Sequence, residues 1–599
     1  MNTIKKSKIL HIVQAKYKTK QYLILFFLSL CGLLQAQETE DDIGTETVTV
    51  VKPYIPTISD AFKIKSIPSL NDSIVLQKKK INYSIFSVPV ASTFTPAKGK
   101  ASRVEKTPPP ILYNSYGSVG LGNFNNALVD FYTSREFNRG EDLLDFGLSH
   151  HSSTGNIDST PLEANFFDTK ADVSYAKKDR DLDWGASIGL QHQIYNWYGI
   201  EGADFADLDL ASINEQQSYF NIQGKAHLNL QDSFFKNGKI LVRRFWDAVE
   251  STENRVVFEP TIELPISEEL VTIATKLDYV NGDFDNASLN NTQNIEGIAY
   301  SLFQISVNPS LVVLRDDLTV NIGANFAYGA DIENSRGNFF IYPAITASYR
   351  LVEDTVIAYG GLEGELKQNS YYDFVGANPY VSPTLSIQPT DQQYDVYAGI
   401  KGQLFSNVGY NIKASYVAED RRPLFLLNPS NSNRDDERAY NLGNSFQVFY
   451  DDIKTLGIFA EISVDINRNF TLRLNAEAYD YNTETDNPAW NLPNVKGSLF
   501  MDYQISDNWF FGANLFFVGE REDLVASAQP NTPANLFPST IVSLDSFFDA
   551  NVHLGYRFNE QLSVFAKASN ITDNNYDRWR NFQVQGFQAL AGVSYKFDF

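Results

Sequence analysis

The chain has 599 residues, with 72 Asp and Glu against 49 Lys and Arg, so its formal net charge at pH 7 is −23. This acidic excess argues against nucleic acid as a partner, because nucleic-acid-binding surfaces are basic. Cys31 is the only cysteine, which excludes a disulfide framework.

The first 36 residues have the pattern of a secretory signal peptide. Six lysines and no acid precede Tyr22–Leu34, an apolar run that is too short to span a bilayer as a helix. Ala36 supplies a small residue before the cleavage point, so the mature chain is predicted to begin at Gln37. Lipidation at Cys31 is disfavoured, because Leu30 stands where a lipoprotein signal usually has a small residue.

Residues 37–110 contain eight prolines, many lysines and only two glycines. Pro and Lys without hydrophobic periodicity predict an extended segment rather than a folded core. Near residues 45–51 this segment has a stretch in which Val and Thr alternate, as suits a peptide that pairs as an added strand. The stretch is Glu46, Thr47, Val48, Thr49 and Val50.

From residue 111 to 599 the sequence alternates between apolar and polar residues. One example has Leu318, Val320 and Ile322 on one face and Thr319 and Asn321 on the other. Such segments run for about 11 to 15 residues, which suits tilted strands in a bilayer better than the shorter strands of soluble sheets. The pattern predicts an all-β fold, an antiparallel transmembrane β-barrel of about 22 strands. The predicted strand starts lie near 112, 125, 140, 166, 183, 216, 237, 254, 267, 296, 317, 338, 354, 393, 405, 445, 469, 492, 507, 545, 561 and 586.

The connections between these segments alternate between short and long. In outer-membrane barrels the short turns are periplasmic and the long loops are extracellular, so residues 37–110 are predicted to be periplasmic and the barrel to contact outer-membrane lipids. The long loops are predicted at 197–216, 368–391, 419–444, 519–543 and 572–585.

Apolar and aromatic residues are concentrated in several of the predicted loops. Tyr371-Tyr372 and Trp197-Tyr198 are two such groups. Exposed clusters of this kind often mark contacts, whereas the alternative is that they pack on one another or lie at the membrane interface. A third group is predicted to be an extracellular contact loop, and it consists of Leu424, Phe425, Leu426 and Leu427.

Catalytic and metal-binding patterns are absent from the sequence. His150 and His151 are adjacent in a predicted strand and so point to opposite faces, which makes it difficult for them to share one metal ion. The glycine-rich stretch 117–122 falls inside the first predicted strand and is interpreted as barrel wall rather than a phosphate loop. We therefore expect no enzyme activity, no cofactor and no metal site.

The end of the chain resembles the closing strands of TonB-dependent receptors. The residues concerned are Asn570-Ile571-Thr572-Asp573-Asn574-Asn575-Tyr576 and Gly592-Val593-Ser594-Tyr595-Lys596-Phe597. The resemblance covers the predicted barrel and implies 22 strands. Glu46–Val50 in turn resembles the TonB box of this family, which implies a TonB-type periplasmic partner. Members of this family carry a plug domain of more than a hundred residues, and residues 37–110 are too few for a complete one.

The resemblance implies a receptor or transporter for a ligand that the sequence does not identify. The short N-terminal segment leaves two alternatives open. One is a non-transporting barrel subunit of an outer-membrane assembly or secretion complex, bound to other outer-membrane or periplasmic proteins. The other is a passive porin, which a barrel of this width disfavours because it would leak unless its lumen were filled.

Overall fold

The computed structural model describes residues 112–155, 157, 160–200, 213–266, 269–284, 297–429, 439–526 and 538–599. The predicted signal peptide and the predicted extended segment 37–110 lie outside these residues. None of the helices in the described part of the chain is long and apolar enough to cross a membrane. The strands are β1 (Ser115–Gly122), β2 (Ala127–Phe137), β3 (Asp142–Ser153), β4 (Phe166–Lys178), β5 (Leu182–Asn196), β6 (Gln216–Leu230), β7 (Phe235–Asp247), β8 (Ser251–Ile266), β9 (Glu269–Phe284), β10 (Ile298–Arg315), β11 (Leu318–Asp331), β12 (Arg336–Val352), β13 (Val356–Lys367), β14 (Thr390–Phe405), β15 (Val408–Leu427), β16 (Phe446–Asn467), β17 (Phe470–Thr483), β18 (Val495–Gln504), β19 (Trp509–Val518), β20 (Arg521–Ala526), β21 (Ser539–Leu544), β22 (Phe547–Arg557), β23 (Leu562–Ser569), β24 (Asp577–Trp579), β25 (Phe582–Gln583) and β26 (Gln588–Phe597). Within these described residues the helices are α1 (Tyr371–Ala377) and two 3-10 turns at Asn138–Gly140 and Ala439–Asn441.

Twenty-two of these strands form one antiparallel sheet that closes on itself. The first strand, β1, pairs with the last, β26, in a register that places Ser115 opposite Phe597 and Gly120 opposite Gly592. The hairpins β20–β21 and β24–β25 stand apart from this sheet, and β19 pairs directly with β22. The predicted 22-stranded barrel is confirmed, and every barrel strand begins within three residues of its predicted start.

The alternation of the sequence explains why the barrel has an apolar outer face. On β11, Ile322 and Phe326 are 51% and 38% exposed, while Asn321 and Asn325 lie on the opposite face. Apolar side chains that remain exposed on the outside of a closed sheet are suited to contact with lipid. The polar residues between them line the lumen.

The two ends of the barrel differ. At one end the strands are joined by tight turns, and at the other by longer connections such as 154–165, 368–389 and 570–587. Three connections at this long-loop end are nevertheless short, namely 123–126, 248–250 and 332–335. The strands β15 and β16 are long, with 20 and 22 residues, and they stay paired at this end as far as Leu427 and Phe446.

A continuous row of five rings crosses the outer face of β3 to β7 near the long-loop end. Successive ring centroids are 4.7, 5.4, 4.5 and 5.4 Å apart. Aromatic side chains collect at the boundary between membrane and water, so this row marks that boundary on the barrel. The rings belong to His150, Phe167, His192, Phe220 and Trp246.

The largest cluster of buried apolar residues lies at the long-loop end, on the inner side of the wall. It combines loop residues such as Tyr198, Phe374 and Phe582 with wall residues such as Tyr219 and Phe245. The loops therefore pack against the inner wall and against one another.

Candidate functional site

The connection between β13 and β14, residues 368–389, folds against the inside of the barrel and is called the strap here. Its helix α1 begins after Ser370, whose hydroxyl accepts a hydrogen bond of 3.2 Å from the Asp373 N–H. Ser followed three residues later by an acid is a strong start signal for a helix, and it satisfies amide groups that have no partner within the helix. Asn378 and Pro379 end the helix, because Pro cannot continue it.

Glu253 of β8 anchors the start of α1 to the barrel wall. Its carboxylate accepts hydrogen bonds from the backbone N–H groups of Tyr371, at 2.6 Å, and Tyr372, at 3.4 Å. The same carboxylate accepts a bond of 2.8 Å from the Tyr300 hydroxyl of β10. The Glu253 side chain is fully buried, and it satisfies donors from the strap and from the wall together.

Two arginines of the wall also hold the strap. The Arg243 guanidinium donates to the Ser370 hydroxyl at 3.1 Å, and its central carbon lies 3.8 Å from the ring centroid of Tyr372. Arg255 makes a bidentate pair with Asp278 of β9, at 2.9 and 2.7 Å, and reaches Asp373 of the strap at 2.9 Å. Charge-assisted and bidentate contacts of this kind have a defined geometry, so they fix the position of α1 on the wall.

Aromatic packing supports the same docking. The Tyr371 ring is fully buried and meets the rings of Phe245 and Phe284 edge-on at 5.2 and 5.0 Å. The Tyr371 hydroxyl donates to Asp247 at 2.8 Å, which gives the buried polar tip a partner. Tyr219 of β6 donates in turn to the Pro379 carbonyl at 2.8 Å.

The distal part of the strap packs on the other long loops. The Tyr380 ring stacks on Phe582 of β25 at 3.8 Å, and Tyr198 meets Phe582 edge-on at 5.0 Å. Tyr198 also donates to the Gln583 carbonyl at 2.8 Å. Three separate connections, one of which is the strap, therefore meet at one aromatic cluster.

The hairpin β20–β21, called the flap here, is tied to the end of β15 by a buried carboxylate. Asp523 accepts hydrogen bonds from the N–H groups of Leu427 at 3.1 Å and Leu524 at 2.8 Å. Burial raises the pKa of the Asp523 carboxyl to about 6, although hydrogen bonds from Asn491 and these amides, and the charge of Arg580, act in the opposite direction. Because the pKa is raised on docking, the docked flap is favoured while Asp523 is protonated. That preference is lost as the pH rises from the ordinary pKa of 3.8 through about 6.

The predicted contact loop is corrected by the structure. Leu424, Phe425, Leu426 and Leu427 lie in β15, paired with β16, and three of them are 1%, 8% and 5% exposed. Leu424 and Leu426 pack with Trp490 in a small buried cluster, and Leu427 belongs to the large one. The apolar run is therefore buried by the extension of β15 and β16 and offers little surface to a ligand.

The other predicted groups have different outcomes. Tyr371, Trp197 and Tyr198 are buried against neighbouring loops and wall, which is the packing alternative for the aromatic clusters. Glu46, Thr47, Val48, Thr49 and Val50 lie outside the described residues, so the TonB-box-like stretch stays a prediction. The described residues contain no cluster of three or more His, Cys, Asp or Glu side chains that could hold a metal ion.

Sequence reasoning missed the wall residues that hold the strap. Arg243, Glu253 and Arg255 are ordinary polar residues on the lumen face, and nothing local sets them apart. A usable signal was the tight turn at 248–250, since it sets a register that places Arg243 opposite Arg255. Two arginines directly opposite one another in a sheet repel, which indicates a bound anion.

Comparison with known families explains this architecture. A sequence profile of the family described as TonB dependent receptor-like, beta-barrel matches residues 106–571. The chain belongs to the TonB-dependent receptor family. The matched range ends before β26, so the resemblance at Gly592–Phe597 is additional to it.

Solved structures of two receptors and one iron transporter share the fold. The FrpB iron transporter from Neisseria meningitidis has a TM-score of 0.61 at 9% identity, over 81% of each chain. The siderophore receptor PirA from Acinetobacter baumannii has a TM-score of 0.59 at 13% identity, also over 81% of each chain. The pyoverdine receptor FpvA from Pseudomonas aeruginosa has a TM-score of 0.59 at 12% identity, over 82% of this chain and 80% of its own. No curated protein sequence matches the chain significantly.

Family membership settles the location and the general class of the protein. It is an outer-membrane β-barrel of a family of receptors and transporters, not an enzyme. The long-loop end is therefore the extracellular end, and the strap enters the lumen from outside. Glu253 and Arg255 lie two and four residues below the outer end of β8, which corresponds to about 7 to 13 Å along the strand.

Proposed function

We propose that this TonB-dependent receptor binds a ligand at its extracellular mouth and imports it through the barrel when a TonB-type partner pulls on the N-terminal segment. The observation that carries the proposal is the strap. It occupies the lumen below the mouth, and it is held there by hydrogen bonds and ion pairs. Such contacts can be exchanged for contacts to a ligand, whereas a fixed wall could not respond to one.

The strap also supports a receptor over a passive porin. A 22-stranded barrel is wide, and a diffusion channel requires an unobstructed lumen. In the described residues, the strap and the aromatic cluster around Phe582 narrow the outer part of that lumen. Planar-bilayer recording of the purified full-length protein checks this point, because a large steady conductance would favour the porin.

Energised transport depends on the stretch Glu46–Val50, which we propose as the TonB box. Added-strand pairing is made by backbone hydrogen bonds, so a side chain at its centre can be replaced without abolishing it. The test is a Val48→Cys variant, which is informative because the mature chain is predicted to contain no other cysteine. Disulfide cross-linking in cells to the periplasmic domain of a TonB protein, itself carrying one introduced cysteine, is the measurement.

We expect a cross-linked product with Val48→Cys and none with the control Ser59→Cys, which lies outside the stretch. Deleting Thr45–Lys52 in a chain that carries Ser59→Cys should give no product either, while the barrel still assembles. Equal cross-linking at both positions, or none at Val48→Cys, would contradict the proposed TonB box. If the barrel gave no cross-link to TonB and instead co-purified with other outer-membrane proteins in stoichiometric amounts, this would favour the assembly subunit.

A further inference from the structure

The strap brings a single charge to the barrel wall. Asp373 is the only charged residue between 368 and 389. One oxygen of its carboxylate lies 3.8 Å from a guanidinium nitrogen of Arg243, and the other lies 2.9 Å from one of Arg255. The carboxylate therefore bridges the two arginines.

The two arginines need an anion between them. Arg243 of β7 and Arg255 of β8 are directly opposite in the sheet register. Like charges in directly opposed positions destabilise a pair of strands, and these side chains are only 6% and 11% exposed, so water screens them weakly. A bridging carboxylate removes this repulsion.

The surrounding charges are balanced only when that carboxylate is present. Salt-bridge contacts connect three cations, Arg243, Arg255 and Lys276, with three acids. The acids are Glu253, Asp278 and Asp373. Removal of the Asp373 carboxylate leaves one positive charge in excess, and an uncompensated charge in a poorly solvated position is costly.

The three side chains of this bridge, Arg243, Arg255 and Asp373, differ in solvent exposure. The Asp373 side chain is 46% exposed, while both arginines lie almost completely covered. A solute in the lumen therefore meets Asp373 first and can compete with it for the arginines. Helix α1 is also held by its hydrogen bonds to Glu253 and by the packing of Tyr371, and neither contact involves the Asp373 carboxylate, so exchange does not require the strap to unfold.

We propose that Arg243 and Arg255 form a carboxylate-binding site in the lumen, which Asp373 fills when no ligand is present. Two guanidinium groups facing one another present paired donors to the two oxygens of a carboxylate. The site takes a solute that carries a carboxylate group, and its binding frees Asp373 from the wall. This site requires no TonB partner, so it goes beyond the transport cycle proposed above.

The test measures binding of citrate to purified, detergent-solubilised full-length protein by isothermal titration calorimetry. Asp373→Ala is expected to bind citrate saturably, and the wild type about tenfold more weakly, because its own carboxylate occupies the site most of the time. Adding Arg255→Gln to Asp373→Ala should abolish binding. Adding Arg244→Gln instead should leave binding unchanged, since Arg244 is next to Arg243 but contacts Asn254 on the opposite face.

Three outcomes would overturn the proposal. They are absence of citrate binding by Asp373→Ala, binding that survives Arg255→Gln, and binding of sulfate as tight as that of citrate. Asp373→Asn, which keeps the shape of the side chain, repeats the comparison if Asp373→Ala loosens α1. The assay contains no TonB partner, so its failure would leave the proposed TonB box untouched, and failure of the cross-linking would leave this site untouched.

Discussion

Replacing Glu253 with Gln should release the strap from the barrel wall. Each oxygen of the Glu253 carboxylate faces two donors. One receives the Tyr371 N–H and the Tyr300 hydroxyl, and the other receives the Tyr372 N–H and Arg243. A Gln amide in the same place turns its NH2 group toward one of these donor pairs in either orientation.

The magnitude follows from burial. The Glu253 side chain is fully buried and Arg243 is only 6% exposed. Removing one member of a buried ion pair typically costs about 3–5 kcal/mol. Because Gln still offers one acceptor oxygen, we expect the lower end, about 3 kcal/mol in the free energy that holds α1 on the wall. This corresponds to roughly a hundredfold increase in the population of the undocked strap.

Hydrogen exchange of the α1 amides, measured by mass spectrometry on the full-length protein in lipid nanodiscs, reports that population. Glu259→Gln is the matched control, because Glu259 is on the same face of β8 and makes none of the strap contacts. The reasoning is refuted if α1 exchange is unchanged in Glu253→Gln, or if Glu259→Gln accelerates it equally.

Three further predictions concern the flap, the aromatic cluster and the barrel seam. Since docking raises the pKa of Asp523 by about two units, lowering the pH from 7.4 to 4 should stabilise flap docking by about 2–3 kcal/mol. The β20 amides of the wild type should therefore exchange faster than those of the neutral variant Asp523→Asn at pH 7.4, and this difference should disappear at pH 4. Phe582→Ala should cost about 3–5 kcal/mol of packing and speed proteolysis of the strap, whereas Phe587→Ala, on the exposed outer face, should not. Gly592→Ala places a methyl group 2.5 Å from a β1 carbonyl oxygen, so it should destabilise the pairing of β1 with β26 that closes the barrel by about 1–3 kcal/mol. The measurement is the band of folded barrel on a semi-native gel, which should become weaker. Gly497→Ala, whose nearest contact is 3.6 Å, should leave that band unchanged.

The barrel was predictable from sequence because its determinants are local. A strand that faces lipid on one side and the lumen on the other must alternate, and a register error of one residue would expose the polar face to lipid. This is why even β10, which contains Pro309, was placed correctly: the alternating pattern extends on both sides of the proline. In the structure β10 then pairs with β9 on one side and with β11 on the other, before and after the proline.

Loop packing was not predictable in the same way, because its partners are distant in the chain. Tyr371 meets Glu253 across 118 positions, and Leu427 meets Asp523 across 96. The apolar run Leu424–Leu427 gave the same local pattern that an exposed contact loop would give. Only the partners that cover it, such as Trp490, show that it is buried.

The proposed carboxylate-binding site at Arg243 and Arg255 can be predicted from the sequence only in part. The register between Arg243 and Arg255 follows from a tight turn, so the need for an anion there is local information. The identity of that anion is not local, because Asp373 arrives from a connection 118 residues after Arg255. The same wall would accept a carboxylate from a neighbouring strand, from a loop or from a solute. A receptor that supplies this group from a loop keeps its lumen site neutral without ligand, and it couples ligand binding to release of the Asp373 carboxylate.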